Sequence, residues 1–114
     1  MGILILRQRA EKNQILEMLA ELETLIKLAV DVERRVIAGG GEYHSDCEEA
    51  LLNDGSKQDN VWGADWEPQS RMVSFGAMIN IRPRLGKVSY ELEDDNLRVL
   101  IEKLVREYLD MDHW

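Results

Sequence analysis

Five side chains in the middle of this chain are of types that hold cations or move protons: His44, Asp46 and Glu48 at alternate positions, then Asp54 and Asp65. On an extended segment the first three share one face. Imidazole together with carboxylate suits zinc, manganese or iron. Same-face neighbours on a straight strand stand about 6.6 Å apart, so a single ion needs a ligand from a second element. Asp54, Asp65 and Asp31 are the acids available for that. The chain has no His-Glu-x-x-His and no paired Cys-x-x-Cys, so the expectation is no cofactor, with a divalent metal as the one alternative these residues allow. Cys47 follows His44 by three positions. On a helix that spacing brings thiol and imidazole together, the arrangement that activates a thiolate. The neighbouring Asp46, Glu48 and Glu49 oppose activation by raising the thiol pKa, and a buried, unreactive cysteine is expected.

Two further groups stand out. Arg82 and Arg84 flank Pro83, with Arg71 and Lys87 nearby. A pair of guanidinium groups at a strand end clamps a carboxylate or phosphate. The competing reading is that they offset acids of the same sheet. Trp62 and Trp66, four apart on an extended segment, share a face and belong either to the core or to a protein interface.

Charge narrows the function classes. The 114 residues carry a net charge of −8. Residues 1–38 are neutral, with six basic and six acidic side chains, whereas residues 39–70 hold eight acids against Lys57 alone. Such a field repels phosphate backbones, so nucleic acid is not an expected partner. A solvated face or a basic protein surface fits it better. One cysteine excludes an internal disulfide, and the first apolar run covers only residues 3–6. A cytoplasmic protein with no membrane association is expected.

The elements that must position these residues follow from periodicity. Residues 3–6 are continuously apolar and read as a strand buried on both faces. Ile15, Leu16, Met18, Leu19 and Leu22 recur at helical spacing within residues 10–22. From Leu25 the period becomes two: Ile26, Leu28, Val30 and Val32 face one way, while Lys27, Ala29, Asp31 and Glu33 form a wet face. The strand is expected to end at Gly39-Gly40-Gly41. Residues 42–52 read as a strand leading into an Asn53-Asp54-Gly55-Ser56 hairpin turn. A short helix over residues 46–52, capped by Ser45 with Glu48, competes with that reading. Residues 61–66 form the returning strand. Residues 72–81 read as the clearest strand, with Val73, Phe75, Ala77, Ile79 and Ile81 on one face, stopped by Pro83. Asp94 or Asp95 caps a last helix whose stripe is Leu97, Leu100, Ile101, Leu104, Val105 and Tyr108.

The expected fold is one α+β domain over residues 1–114. It has two layers, a mainly antiparallel meander with both helices on one face, in the order β-α-β-β-β-β-α. Beyond that physical reading, residues 26–33, Gly39-Gly40-Gly41-Glu42, His44-Ser45-Asp46-Cys47-Glu48, residues 51–58, Val61-Trp62-Gly63-Ala64 and Ile79-Asn80-Ile81-Arg82-Pro83 resemble a family of small bacterial proteins classified only as a domain of unknown function. The resemblance covers about residues 6–108. It implies a prokaryotic stand-alone protein and carries no activity with it. This chain departs from the family after Arg82-Pro83, where a polar Gln/Asn/Ser/Arg stretch is replaced by Arg84-Leu85-Gly86-Lys87-Val88-Ser89. The resemblance therefore assigns that loop no ligand role.

The functional expectation is a non-catalytic binding or regulatory domain that forms a homodimer through its uncovered sheet face, where Trp62 and Trp66 are the candidate interface. One alternative is a metal-assisted hydrolase, with His44 and Asp46 on the ion and Arg82 and Arg84 on an anionic substrate. The other is an acidic partner of a basic protein. Whether any catalysis occurs is left open by the residues.

Overall fold

The computed structural model describes residues 2–111. Its five strands are β1 (Leu4–Leu6), β2 (Ile26–Asp31), β3 (Val36–Gly41), β4 (Val61–Glu67) and β5 (Met72–Ser74). They form one antiparallel sheet in the order β1-β3-β2-β4-β5. Helices α1 (Lys12–Leu19) and α3 (Asp95–Leu109) share one face, where Ile15, Met18, Ile101, Leu104 and Val105 meet Ile26, Leu28, Val30, Trp62 and Trp66. The α+β class and the antiparallel sheet agree with the sequence reading. The strand order does not follow a meander, because β2 takes the centre and the N-terminal strand pairs with β3.

The largest difference is a third helix, α2 (His44–Asn53), on the opposite face. Residues 42–52 are therefore not a strand. Cys47 and Leu51, one turn apart, drive into Ala29, Val36, Ala38 and Val61, with Ala50 alongside. Burying an i, i+4 pair against a sheet favours helix over strand here. The capping box does not start it: Tyr43 is the N-cap and makes no side-chain cap bond. The Asn53-Asp54-Gly55-Ser56 run ends this helix instead of turning a hairpin. Gly55, at φ +106°, lies just past the C-cap Asp54, the same left-handed chemistry put to another use.

Because α2 covers it, the middle of the expected wet face of β2 is dry, while Glu33 past the strand stays exposed. Ala29 and Asp31 are fully buried. Asp31 Oδ1 accepts the Glu33 and Arg34 N–H groups at 2.9 Å each, which tightens a β2–β3 turn that Arg35 completes at φ 57°. The chain thus reverses at residues 32–35, and the triple glycine falls inside β3. Its lack of side chains admits both helical layers. A Cβ on Gly39 would lie 2.7 Å from Leu28 Cδ2, and one on Gly41 3.3 Å from Cys47 Sγ.

Residues 72–81 also depart from one long strand. Beyond β5, Phe75 enters the α1/α3 core while Ile79 packs on the α2 side. One apolar alternation thus wraps around the sheet edge. Ala77 N–H donates to Tyr90 O and Leu92 N–H to Phe75 O, so a loop segment pairs where a strand was expected.

A charged clasp ties the N-terminus to α2. Arg7 and Arg34 both bind Asp54, at 2.8 and 2.7 Å, and Arg34 Nη1 also donates to Ser56 Oγ at 2.7 Å. Hydrogen bonds from Arg7 and Arg34 hold the Asp54 carboxyl at about 2, below its ordinary 3.8. A depressed carboxylate stabilises the fold above its unfolded pKa and loses that contribution as pH falls through the folded value. Asp54→Asn is therefore expected to be less stable than the parent at neutral pH. In acid titrations followed by circular dichroism, the gap should close between pH 3.8 and about 2.

Candidate functional site

The polar residues of the middle segment are distributed by α2. His44, at its first position, points to β4: Nε2 lies 2.7 Å from Asp65 Oδ1 and 3.1 Å from Ala64 O. Carboxylate and carbonyl oxygens only accept, so Nε2 of His44 carries a proton and donates to them. Both side chains are largely covered, at 12% and 15% exposure. A cleft of about 180 Å³ opens beside them, lined by Lys27, Tyr43, His44, Ser45 and Met78. Its rim is unusual. Tyr43 is 58% and Met78 74% exposed, and Lys27 Nζ sits 5.7 Å from the Tyr43 ring centroid.

Of the candidate cation ligands, only His44 and Asp65 come together. Asp46 is exposed near the start of α2, Glu48 pairs with Arg82 at 3.4 Å, and Asp54 belongs to the arginine clasp. Among the described residues, no group of three or more His, Cys, Asp or Glu side chains is placed to hold a metal. Cys47 is buried with its thiol donating to Lys27 O at 3.4 Å. Burial raises its pKa to about 11, so it is the unreactive cysteine expected.

Arg82 has a different role from the anion clamp. Nε donates to Ile79 O at 2.7 Å, Nη1 to Gln58 O at 2.9 Å and Nη2 to Val61 O at 2.6 Å. Its guanidinium also lies 4.6 Å from the Trp62 ring centroid. Three carbonyls and Glu48 use the donors that a ligand would need. Two residues earlier, the buried Asn80 takes the Gly63 N–H on Oδ1 at 2.8 Å and donates Nδ2 to Gly63 O at 3.1 Å and Phe75 O at 3.0 Å. β5 pairs only with Asp65, Trp66 and Glu67 of β4, so Asn80 and Arg82 satisfy the rest of that edge. The Ile79-Asn80-Ile81-Arg82-Pro83 run is an edge cap. Arg84 is exposed and lines, together with Arg82, Gln58, Asp59 and Leu85, a shallow hollow.

Trp62 and Trp66 are core residues, 3% and 1% exposed beneath the α1/α3 layer. With α2 on the other side, neither sheet face is open, and the dimer through such a face has no surface to use. Lys27, Tyr43, Ser45 and Met78 were not candidates from sequence. Tyr43 and Met78 carried no periodic signal because one precedes a helix and the other sits in the short turn Met78–Asn80. Asn80 did carry a signal, as the amide within an apolar alternation.

Comparison with family models matches residues 4–108 to a family described as Protein of unknown function (DUF5674). No curated protein and no solved structure matches the chain. Among the described residues, no helix is long and apolar enough to cross a membrane.

Proposed function

The chain belongs to the DUF5674 family of proteins of unknown function, and on that premise we propose that it is a small cytosolic binding domain that takes a basic segment of a partner protein in the His44 cleft. The observation that carries this reading is the exposed Tyr43 and Met78 flanking an anchored His44–Asp65 pair. Aromatic rings and methionine are over-represented where proteins meet. Beside the His44 imidazole stands the Asp65 carboxylate, and the Tyr43 ring at the rim is of the kind that takes a cation on its face, as it does the Lys27 ammonium. Glu42 and Glu49, exposed near and on α2, take part in none of the described ion pairs and add attraction at longer range. This reading unites the binding domain and the acidic partner of the sequence analysis.

Calorimetric titration with a lysine- and arginine-rich peptide tests it. Binding is expected to weaken steeply with added salt and to fall roughly tenfold or more in Tyr43→Ala, as for an aromatic anchor worth about 1.4 kcal/mol. Tyr43 is exposed, so the variant keeps its fold. Equal affinity for an acidic control peptide, or an unchanged Tyr43→Ala, overturns the reading.

A further inference from the structure

We infer that the outer edge of β1 docks a second copy of this chain about a twofold axis normal to the sheet. β1 ends the strand order and, among the described residues, pairs only with β3. Along residues 3–6 it carries no charge and no proline, the devices that usually blunt an edge. Beside it runs an open groove of about 370 Å³, lined from Ile5 to Gln14. The opposite edge is guarded: past β5 the chain bonds to the 90–92 segment, and Asn80 and Arg82 cap the remainder.

A second copy is the occupant because the edge is complementary to itself. An antiparallel pair about such an axis keeps the faces matched. Ile3 and Ile5 pack on the α2 side and Leu4 and Leu6 on the α1/α3 side, so both apolar layers continue across the seam. Charge agrees with this placement. Arg7, at the far end of the strand, is 54% exposed and uses only Nη2 toward Asp54. Asp46 lies at the near end: a Cβ on Gly41 would stand 3.1 Å from Ile3 Cδ1 and 3.3 Å from Asp46 Cβ. An axis through Ile5 sets each Arg7 opposite Ile3 of the other copy and toward its Asp46, two equivalent attractions. The paired strands themselves fall within residues 1–38, which are neutral.

Sedimentation velocity on the full chain, from about 5 to about 500 µM, tests this by mass action, with amide hydrogen exchange followed over the same range. The expected result is a shift from monomer to dimer, with the outward-facing amides of β1 exchanging at least tenfold more slowly at the top of the range. Asp46→Arg, an exposed change that leaves the core alone, is expected to weaken the dimer about tenfold at low salt. A monomer throughout, a dimer whose β1 amides exchange at the monomer rate, or a dimer indifferent to Asp46→Arg overturns the inference. The last two outcomes would place a contact elsewhere on the surface.

Discussion

Replacing Arg82 with leucine is expected to lower stability by about 3–5 kcal/mol, the range for breaking a buried charged pair. In urea that is a fall of roughly 2–4 M in midpoint at an m value near 1.3 kcal/mol/M. The reasoning follows from what is left behind. Ile79 and Val61 lose a donor to their part-buried carbonyls, and Glu48, itself only 13% exposed, loses its cation. Unsatisfied buried acceptors cost more than the bonds were worth in exchange with water. Arg82→Lys is the informative companion. An ammonium keeps the charge for Glu48 but cannot spread donors across three carbonyls in one plane, so it should recover less than half of the loss. Full recovery by lysine would mean that charge alone matters there, contrary to the edge-cap account.

Gly40→Ala is expected to cost about 4 kcal/mol or more, or to prevent folding, because two independent penalties combine. Gly40 has φ +104°, a conformation that side chains rarely adopt. Its added Cβ would also stand 2.0 Å from Gly2 O and 3.0 Å from Met18 Cα, so the N-terminal segment and α1 must both retreat. Gly55→Ala separates the two effects. Gly55 has nearly the same φ, +106°, with nothing within 4 Å, and should lose only about 1–2 kcal/mol from backbone strain. Thermal unfolding of both variants reads the difference; equal losses would remove the steric half of the argument.

Those two positions mark where sequence reasoning succeeded and where it failed. The terminal helices and four of the five strands were legible because their apolar periods are long and uninterrupted, and Asp94 caps α3 through the Asn96 and Leu97 N–H groups as its position suggests. The triple glycine misled because glycine signals conformational freedom at a turn and close approach in a strand with the same letter. Only the packing of Met18 and Cys47 decides between them. Residues 42–52 were ambiguous because Cys47, Ala50, Leu51 and Leu52 are too few and too clustered to fix a period. Arg82 and Arg84 look alike in sequence, yet one is consumed by carbonyls and the other is exposed. A side chain's donors become visible only when the partners of the neighbouring strand edge are counted. Trp62 and Trp66 had both readings open, and the α1/α3 layer chose the core.

The same accounting isolates the candidate site. Arginines and acids that looked available for chemistry are largely spent on the fold: Arg82 on β4, Asp54 on the N-terminal clasp, Glu48 on Arg82. His44 differs because its Nε2 is fixed by Asp65 and Ala64 while the residue lines the cleft.

The nitrogen-15 spectrum of the His44 imidazole, recorded with and without the basic peptide and separated from His113 by a His113→Gln variant, tests that claim most directly. The expected result is a ring protonated at Nε2, whose Nδ1 signal moves when peptide is added. A ring protonated at Nδ1 alone in the free protein, or an Nδ1 signal untouched by a peptide that binds, would contradict it.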